Sequence, residues 1–339
     1  MEIAQCGAFV QWWWLVAAAA AASLALTALL RHYALRRHLL DVPNARSSHT
    51  RPTPRGGGLA IVASFAAALV VAGYAGLLPT PLILASIFAG GIVAVTGFAD
   101  DHGHIAARWR LLAHFAAAGT ALLILPEIPA LFAGPMSGSL LALTALTEAF
   151  YLAWMLNLYN FMDGIDGIAA TEAVCVCLGG AALFLLGDAP CLAIAPILLA
   201  AAVAGFLCWN WPPARIFMGD GGSGFLGFTL GLLSLQAPAF FWHWTILLAV
   251  FICDASLTLA RRALAGQTLH EAHRSHAYQH AAQRWGHLPV TLTTAAINLF
   301  WLLPLALAAA LDWLPLPVSM VAAYAPLLAL AWHLNAGKN

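Results

Sequence analysis

The run LAIVASFAAALVVAGYAGLL at 59–78, the link Pro79-Thr80-Pro81 and the run LILASIFAGGIVAVTGFA at 82–99, closed by Asp100-Asp101, decide the fold. Each run has about the 20 apolar residues that a helix needs to cross a bilayer. Working outward from this pair, the pattern recurs at about 11–30, 59–78, 81–99, 110–126, 140–158, 169–187, 191–208, 224–239, 243–260, 290–309 and 316–334. The expected class is all-α: a polytopic membrane bundle of about eleven spans, with ten as the alternative count, in one domain over 1–339. All 14 Lys and Arg residues fall in or beside alternate loops. An excess of Lys and Arg marks the cytoplasmic face. An odd number of spans then puts the N-terminus outside and the C-terminus inside.

Composition agrees. The chain is 62% hydrophobic and 8% charged, with mean hydropathy +0.85. A soluble domain carries about 25% charged residues, so this chain cannot cover a soluble surface. Its net charge is zero, so bulk charge points to no nucleic-acid partner. No positive segment precedes the first run, so Gln11–Leu30 reads as a retained span, not a cleaved signal. The cysteines Cys6, Cys175, Cys177, Cys191, Cys208 and Cys253 include no C-x-x-C pair. They read as small apolar fillers, not disulfides or zinc ligands.

The polar residues gather in the alternate loops. The first, Asp41 to Gly58, carries Arg46, Arg51 and Arg55 among three prolines and ends in three glycines. Such a non-helical strip with exposed amides suits phosphate oxygens, which arginine grips with paired hydrogen bonds. The plainer alternative is that these arginines only set topology or touch anionic lipid. Asp100-Asp101 repel one another unless a cation or a proton lies between them; a solvated turn would also hold them. Asn157, Asn160, Asp163 and Asp166 recur every third residue, so they share one helical face at the end of an apolar run. Four polar groups in register require a common polar cavity, which a simple cap would not.

Asp220 lies among glycines in Met218-Gly-Asp220-Gly-Gly-Ser223. It is a plausible ligand for Mg²⁺, which takes carboxylate and phosphate oxygens. Phe217 could stack on a base, although isolated aromatics more often pack. The last large loop holds His270, His273, Arg274, His276 and His280 but no H-E-x-x-H. A cationic phosphate clamp fits it better than zinc does; an amphipathic interfacial helix is the alternative. Asp254, inside the ninth run, either pairs within the bundle or lines the cavity.

Together these pieces resemble the polyprenyl-phosphate N-acetylhexosamine-1-phosphate transferases of glycosyltransferase family 4. The resemblance rests on Pro52-Thr-Pro-Arg-Gly-Gly-Gly58, Asp100-Asp101, Asn157-x-x-Asn160-Phe-x-Asp163-Gly-x-Asp166-Gly167 and Pro213-Ala-x-Ile-Phe-Met-Gly-Asp220-x-Gly-Ser223. It implies transfer of a sugar-1-phosphate from a UDP-sugar to undecaprenyl phosphate, with release of UMP, in the bacterial inner membrane. It also implies Mg²⁺ with Mn²⁺ as a substitute, and admits a homodimer. By the resemblance Asp220, Asn160 and Asp163 belong to the metal, Asp100 and Asp101 lie beside the lipid phosphate, and Asn210, Phe217 and Asp166 hold the uracil end. Arg51 falls near a basic position of the family's first loop.

The form His273-Arg-Ser-His-Ala-Tyr-Gln-His280 resembles the branch that starts O-antigen or related surface glycans from a UDP-6-deoxy-N-acetylhexosamine such as UDP-FucNAc or UDP-QuiNAc. A UDP-GlcNAc-specific enzyme is the alternative, and a multi-span transporter is the alternative from another class. The acceptor phosphate has a second pKa near 6, as in a phosphomonoester side chain, so it is largely a dianion at neutral pH. The chemistry therefore does not require Asp100 as a base, and a positioning role fits equally.

Overall fold

The computed structural model describes residues 12–43, 48–49, 51–103, 105–125, 139–187, 189–236, 238–268 and 273–338. Arg46, His270 and the link at 126–138 lie outside them. The described residues are mostly helical: α1 Trp13–Arg36, α2 Leu59–Tyr74, α3 Thr80–His102, α4 Ala107–Ile124, α5 Ser139–Met162, α6 Ile168–Leu186, α7 Ile194–Asn210, α8 Asp220–Ser234, α9 Phe241–Leu247, α10 Ala249–Leu264, α11 Ala277–Trp285, α12 His287–Ile297, α13 Leu303–Ala310 and α14 Leu316–His333. A π-helical turn at Asn298–Leu302 joins α12 to α13. Among the described residues the only sheet is a two-residue ribbon, β1 Leu40–Asp41 antiparallel to β2 Thr53–Pro54.

The protein is a polytopic all-α membrane protein. The eleven expected runs fall on helical segments, although 243–260 and 290–309 each cover more than one helix. Among the described residues, seven helical segments are long and apolar enough to cross a membrane, or eight if 220–234 and 238–247 form one broken span. The difference has local causes. α2 has only 16 residues, α4 begins with Arg108 and Arg110, and the expected span at 243–260 is interrupted at Leu248 between α9 and α10.

α8 is the centre of the bundle. Its sequence, DGGSGFLGFTLGLLS, is glycine-rich, and every residue from Gly221 to Ser234 is buried. Small residues let helix backbones approach closely where no solvent drives association. α3 and α5 pack along α8, α1 packs on α7, and α6 packs on α7. The C-terminal ends of α3 and α5 thereby meet the N-terminal end of α8, so Asp100, Asp101, Asp163 and Asp220 arrive at one end of the bundle. Cys191 is disulfide-bonded, contrary to the reading of all six cysteines as fillers; Cys175, Cys177, Cys208 and Cys253 are free.

Candidate active site

The site begins with a backbone contact. A Cβ on Gly97 of α3 would run into the backbone of Asp220 and Gly221, and Gly219 has φ +80°, a left-handed conformation that favours glycine. These two positions let the start of α8 sit directly against the end of α3. The buried Asp101 carboxylate accepts from the Asp220 amide at 3.1 Å and from the Gly221 amide at 3.5 Å. It thus caps α8 from a neighbouring helix, where unpaired amides and the helix dipole favour an anion.

Two arginines join the carboxylates. Arg55 Nε lies 2.8 Å from Asp101 Oδ1, and its terminal nitrogen donates to Asp220 Oδ1. Arg110 donates to Asp100 Oδ2 at 2.5 Å and lies 3.8 Å from Asp220 Oδ2. Asp100 Oδ1 accepts from the Ile105 amide at 2.8 Å. Arg110 was not among the expected site residues. Its place depends on the turn between α3 and α4, which brings position 110 back over position 100.

The four polar residues spaced three apart separate into different tasks; only Asn157 and Asn160 lie on α5, which ends at Met162, so Asp163 and Asp166 do not continue its face as expected. Asn157 donates to Ala153 O at 2.6 Å and lies 3.2 Å from His114 Nδ1. Asn160 Oδ1 accepts from Ser223 Oγ at 2.5 Å, tying α5 to α8. Asp163 is half-buried, and among the described residues its carboxylate has no hydrogen-bond partner. Burial pushes its pKa well above the usual carboxylate range, with Arg55 pulling the other way.

Asp166, by contrast, accepts from the Ala214 amide at 3.0 Å and lies 3.2 Å from His287 Nδ1. Asn210 accepts from the Gly167 amide at 3.0 Å and donates to Ile216 O at 3.0 Å. Asp166 and Asn210 therefore fold the 211–219 loop. That loop is also stapled to the first one: Gly57 and Gly58 donate to Phe217 O and Met218 O, both at 2.9 Å, and Phe217 donates to Pro54 O at 2.8 Å. These glycine amides, expected to face phosphate, are spent on the loop.

Two cavities open on the cluster and share Arg55, Asn160, Asp163, Asp220 and Gln279. The smaller, about 310 Å³, continues past Asp166, Asn210 and Phe217 to His49, whose ring meets Phe217 edge-on at 4.8 Å. The larger, about 450 Å³, is lined by Asp100, Arg110, His114, Asn157, His273 and His276 and reaches apolar walls at Val93 and Leu156. Arg51 and Arg274 are exposed and line neither cavity. His273 is neutral at neutral pH, because burial first, and then His276 and Arg262, hold its pKa down to about 4. His273 and His276 line the larger cavity, whereas Arg274 stands outside it. Asp254 is settled as an internal partner: it accepts from the Ala277 and Tyr278 amides at 2.9 Å each, at the start of α11.

The donor set fits a divalent cation. Among the described residues no three His, Cys, Asp or Glu side chains stand close enough to hold a metal by themselves. Mg²⁺ does not need that: it keeps waters and takes one or two carboxylates together with substrate phosphates. Four carboxylates here face two guanidiniums, which leaves negative charge in excess, and Asp163 offers an unused carboxylate between the cavities.

Residues 81–237 match the model of glycosyl transferase family 4. Over that segment the chain is similar to this family. It is 29% identical over 272 residues to a protein of Bacillus subtilis named probable undecaprenyl-phosphate N-acetylglucosaminyl 1-phosphate transferase, covering 75% of this chain and 72% of that one. It is 32% identical over 244 residues to the decaprenyl-phosphate N-acetylglucosaminephosphotransferase of Mycolicibacterium smegmatis, covering 62% and 56%. An 88-residue stretch is 44% identical to the phospho-N-acetylmuramoyl-pentapeptide-transferase of Chlamydia muridarum, about a quarter of each chain (25% and 26%). The matched family segment contains Asp100, Asp101, Asp163 and Asp220, so the family match and the carboxylate cluster coincide.

Proposed function

We propose that this protein transfers an N-acetylhexosamine-1-phosphate from a UDP-sugar to undecaprenyl phosphate and releases UMP. The observation that carries this reading is the convergence of Asp100, Asp101, Asp163 and Asp220 with Arg55 and Arg110 between two cavities at one end of a membrane bundle. Two anionic reactants have to meet there, and the guanidiniums lower their mutual repulsion. The smaller cavity suits the nucleoside, with Phe217 on its wall and Asp166 and Asn210 holding that wall in shape. The shared waist suits the pyrophosphate. The larger cavity, polar at the waist and apolar beyond, suits the sugar and the lipid phosphate.

Asp163, Asp220 and Asn160 would hold Mg²⁺, which supplies charge neutralisation for the pyrophosphate when bound. Asp100 acts as a positioning group, since both its oxygens are engaged by Arg110 and the Ile105 amide. The acceptor phosphate attacks directly as a dianion. The Lys and Arg bias of the loops supports a site facing the cytoplasm, with the N-terminus periplasmic and the C-terminus cytoplasmic, in a bacterial inner membrane.

The His273–His280 segment supports a 6-deoxy donor such as UDP-FucNAc or UDP-QuiNAc and a role in starting O-antigen synthesis. UDP-GlcNAc is the second reading, favoured by the names of the Bacillus and Mycolicibacterium relatives. Purified protein in undecaprenyl-phosphate micelles with Mg²⁺ and a panel of labelled UDP-N-acetyl sugars tests all of this. Label passing into the organic phase with equimolar UMP supports the reading, and the best donor names the sugar. Solute movement across vesicles without bond formation would replace it with a transporter.

A further inference from the structure

The chain does not run straight out of α14. Asn335 has φ +62° and Gly337 has φ +76°. These two left-handed residues turn the segment 334–338 back over the bundle. A Cβ on Gly337 would meet Arg261 Cβ at 2.8 Å and the Thr258 oxygen at 2.9 Å, so the segment lies directly on α10. Leu334 and Ala336 are buried.

The turned segment is bonded on both sides. Towards α10, Arg261 Nη1 donates to Ala336 O at 2.7 Å, and the same guanidinium stands 4.1 Å from the centre of the Trp332 ring, within cation–π range. On the other side, the Gly337 amide donates to Ser275 O at 2.7 Å. His280 Nε2 lies 3.2 Å from Lys338 O. A carbonyl only accepts, so the ring donates there.

Ser275 is buried in the non-helical stretch 273–276, between α10 and α11. This stretch is a wall of the larger cavity. Among the described residues, the bond from Gly337 is the one backbone hydrogen bond that ties it to an element other than α11. Asp254 secures only the residues that follow, through the Ala277 and Tyr278 amides.

We propose that residues 334–338 are a strap that sets the position of this cavity wall, with Arg261, Trp332 and Gly337 as positioning residues. None of these side chains or backbones lines either cavity, so they act through Ser275. The strap bears on one cavity only, because the smaller one is lined by no residue of 273–276. Gly337 cannot carry a side chain without leaving α10, and any such movement pulls on the carbonyl that precedes His276. This deepens the transferase reading and rests on it where turnover is concerned.

Two measurements test the strap. Hydrogen exchange comes first, because it needs no turnover. In Gly337→Ala, the peptide covering 273–280 should exchange roughly tenfold faster than in the unmodified protein, while the peptide covering 163–168 stays as it was. Trp332→Ala should do the same by freeing Arg261, and it serves if Gly337→Ala does not fold. Trp332→Phe keeps an aromatic face for the guanidinium and should stay within about twofold of the unmodified protein. Unaltered exchange at 273–280 in either folded variant, or equal losses in Trp332→Phe and Trp332→Ala, would overturn the strap.

The second measurement separates positioning from general damage. In Gly337→Ala or Trp332→Ala, kcat/KM for a UDP-N-acetylhexosamine that the protein uses should fall by roughly 10²-fold, the order expected when a wall moves by about 1 Å. The inhibition constant of UMP, which the transferase reading places in the smaller cavity, should change by less than about twofold. A parallel loss of UMP affinity, or faster exchange with kcat/KM unchanged, would overturn the positioning role. Failure of every UDP-sugar with the unmodified protein would instead sink the transferase reading and leave the exchange result standing.

Discussion

Asp163 and Asp166 stand three residues apart in one turn, Asp163-Gly-Ile-Asp166, and have opposite circumstances. Asp166 Oδ2 accepts from the Ala214 amide and lies 3.2 Å from His287 Nδ1, and the Asp166 backbone oxygen accepts from Thr291 Oγ1 at 2.9 Å. Asp163 has no such partner among the described residues. The first holds a loop in place; the second is left over for something the protein does not itself contain. Residue type and spacing do not separate a scaffold carboxylate from a working one. The inventory of hydrogen bonds around each does.

Exchanging each carboxylate for its amide is the sharpest way to break this comparison. Asp163→Asn should lower kcat/KM for UMP release by about 10³-fold, comparable to losing a transition-state electrostatic partner, while the unfolding midpoint stays put. A variant with near-normal turnover would remove Asp163 from the site. Next in size is Gly97→Ala. Its new methyl group would push the start of α8 away, and a displacement of about 1 Å can cost 10²-fold in rate. Chemical cross-linking between α3 and α8 cysteines would report the shift independently.

A pH titration sharpens the same contrast. Because burial raises the Asp163 pKa, a cation has to displace a proton there. Raising pH removes that proton, so the apparent Mg²⁺ affinity should rise with pH, by up to about tenfold per unit below the raised pKa. A flat Mg²⁺ dependence across roughly pH 5.5–8 would mean that Asp163 does not bind the ion. Asp166→Asn should act on the fold instead, costing about 1–3 kcal/mol through weakened loop hydrogen bonds. Thermal unfolding in detergent and KM for the UDP-sugar would both move, with kcat little changed. Arg51→Ala and Arg274→Ala should be smallest, within about twofold in activity, as expected for exposed positions. A large loss in either would mean that these loops close over substrate.

Much of the architecture was readable before any coordinates. Apolar run length is a direct consequence of bilayer thickness, so the helices at 80–102, 168–186 and 316–333 fall where composition puts them. The acidic residues were readable for the related reason that a carboxylate at the end of such a run needs a polar neighbourhood. What could not be read was the return path of each loop. Arg51 and Arg55 are alike in sequence, but β1–β2 pairing and the bonds to 217–218 turn only Arg55 inward. Arg110 meets Asp100 through a turn whose geometry no spacing rule supplies. Asp254 was visible as an oddity, yet its task depends on a segment more than twenty residues later folding back onto it.

The seclusion of α8 has a bearing on how this protein senses its surroundings. A helix without a lipid-facing side cannot be tilted directly by changes in bilayer thickness or tension; such disturbances have to pass first through α3 and α5. Asp220, at the start of that helix, is thereby set back from the lipid by a layer of packed helices.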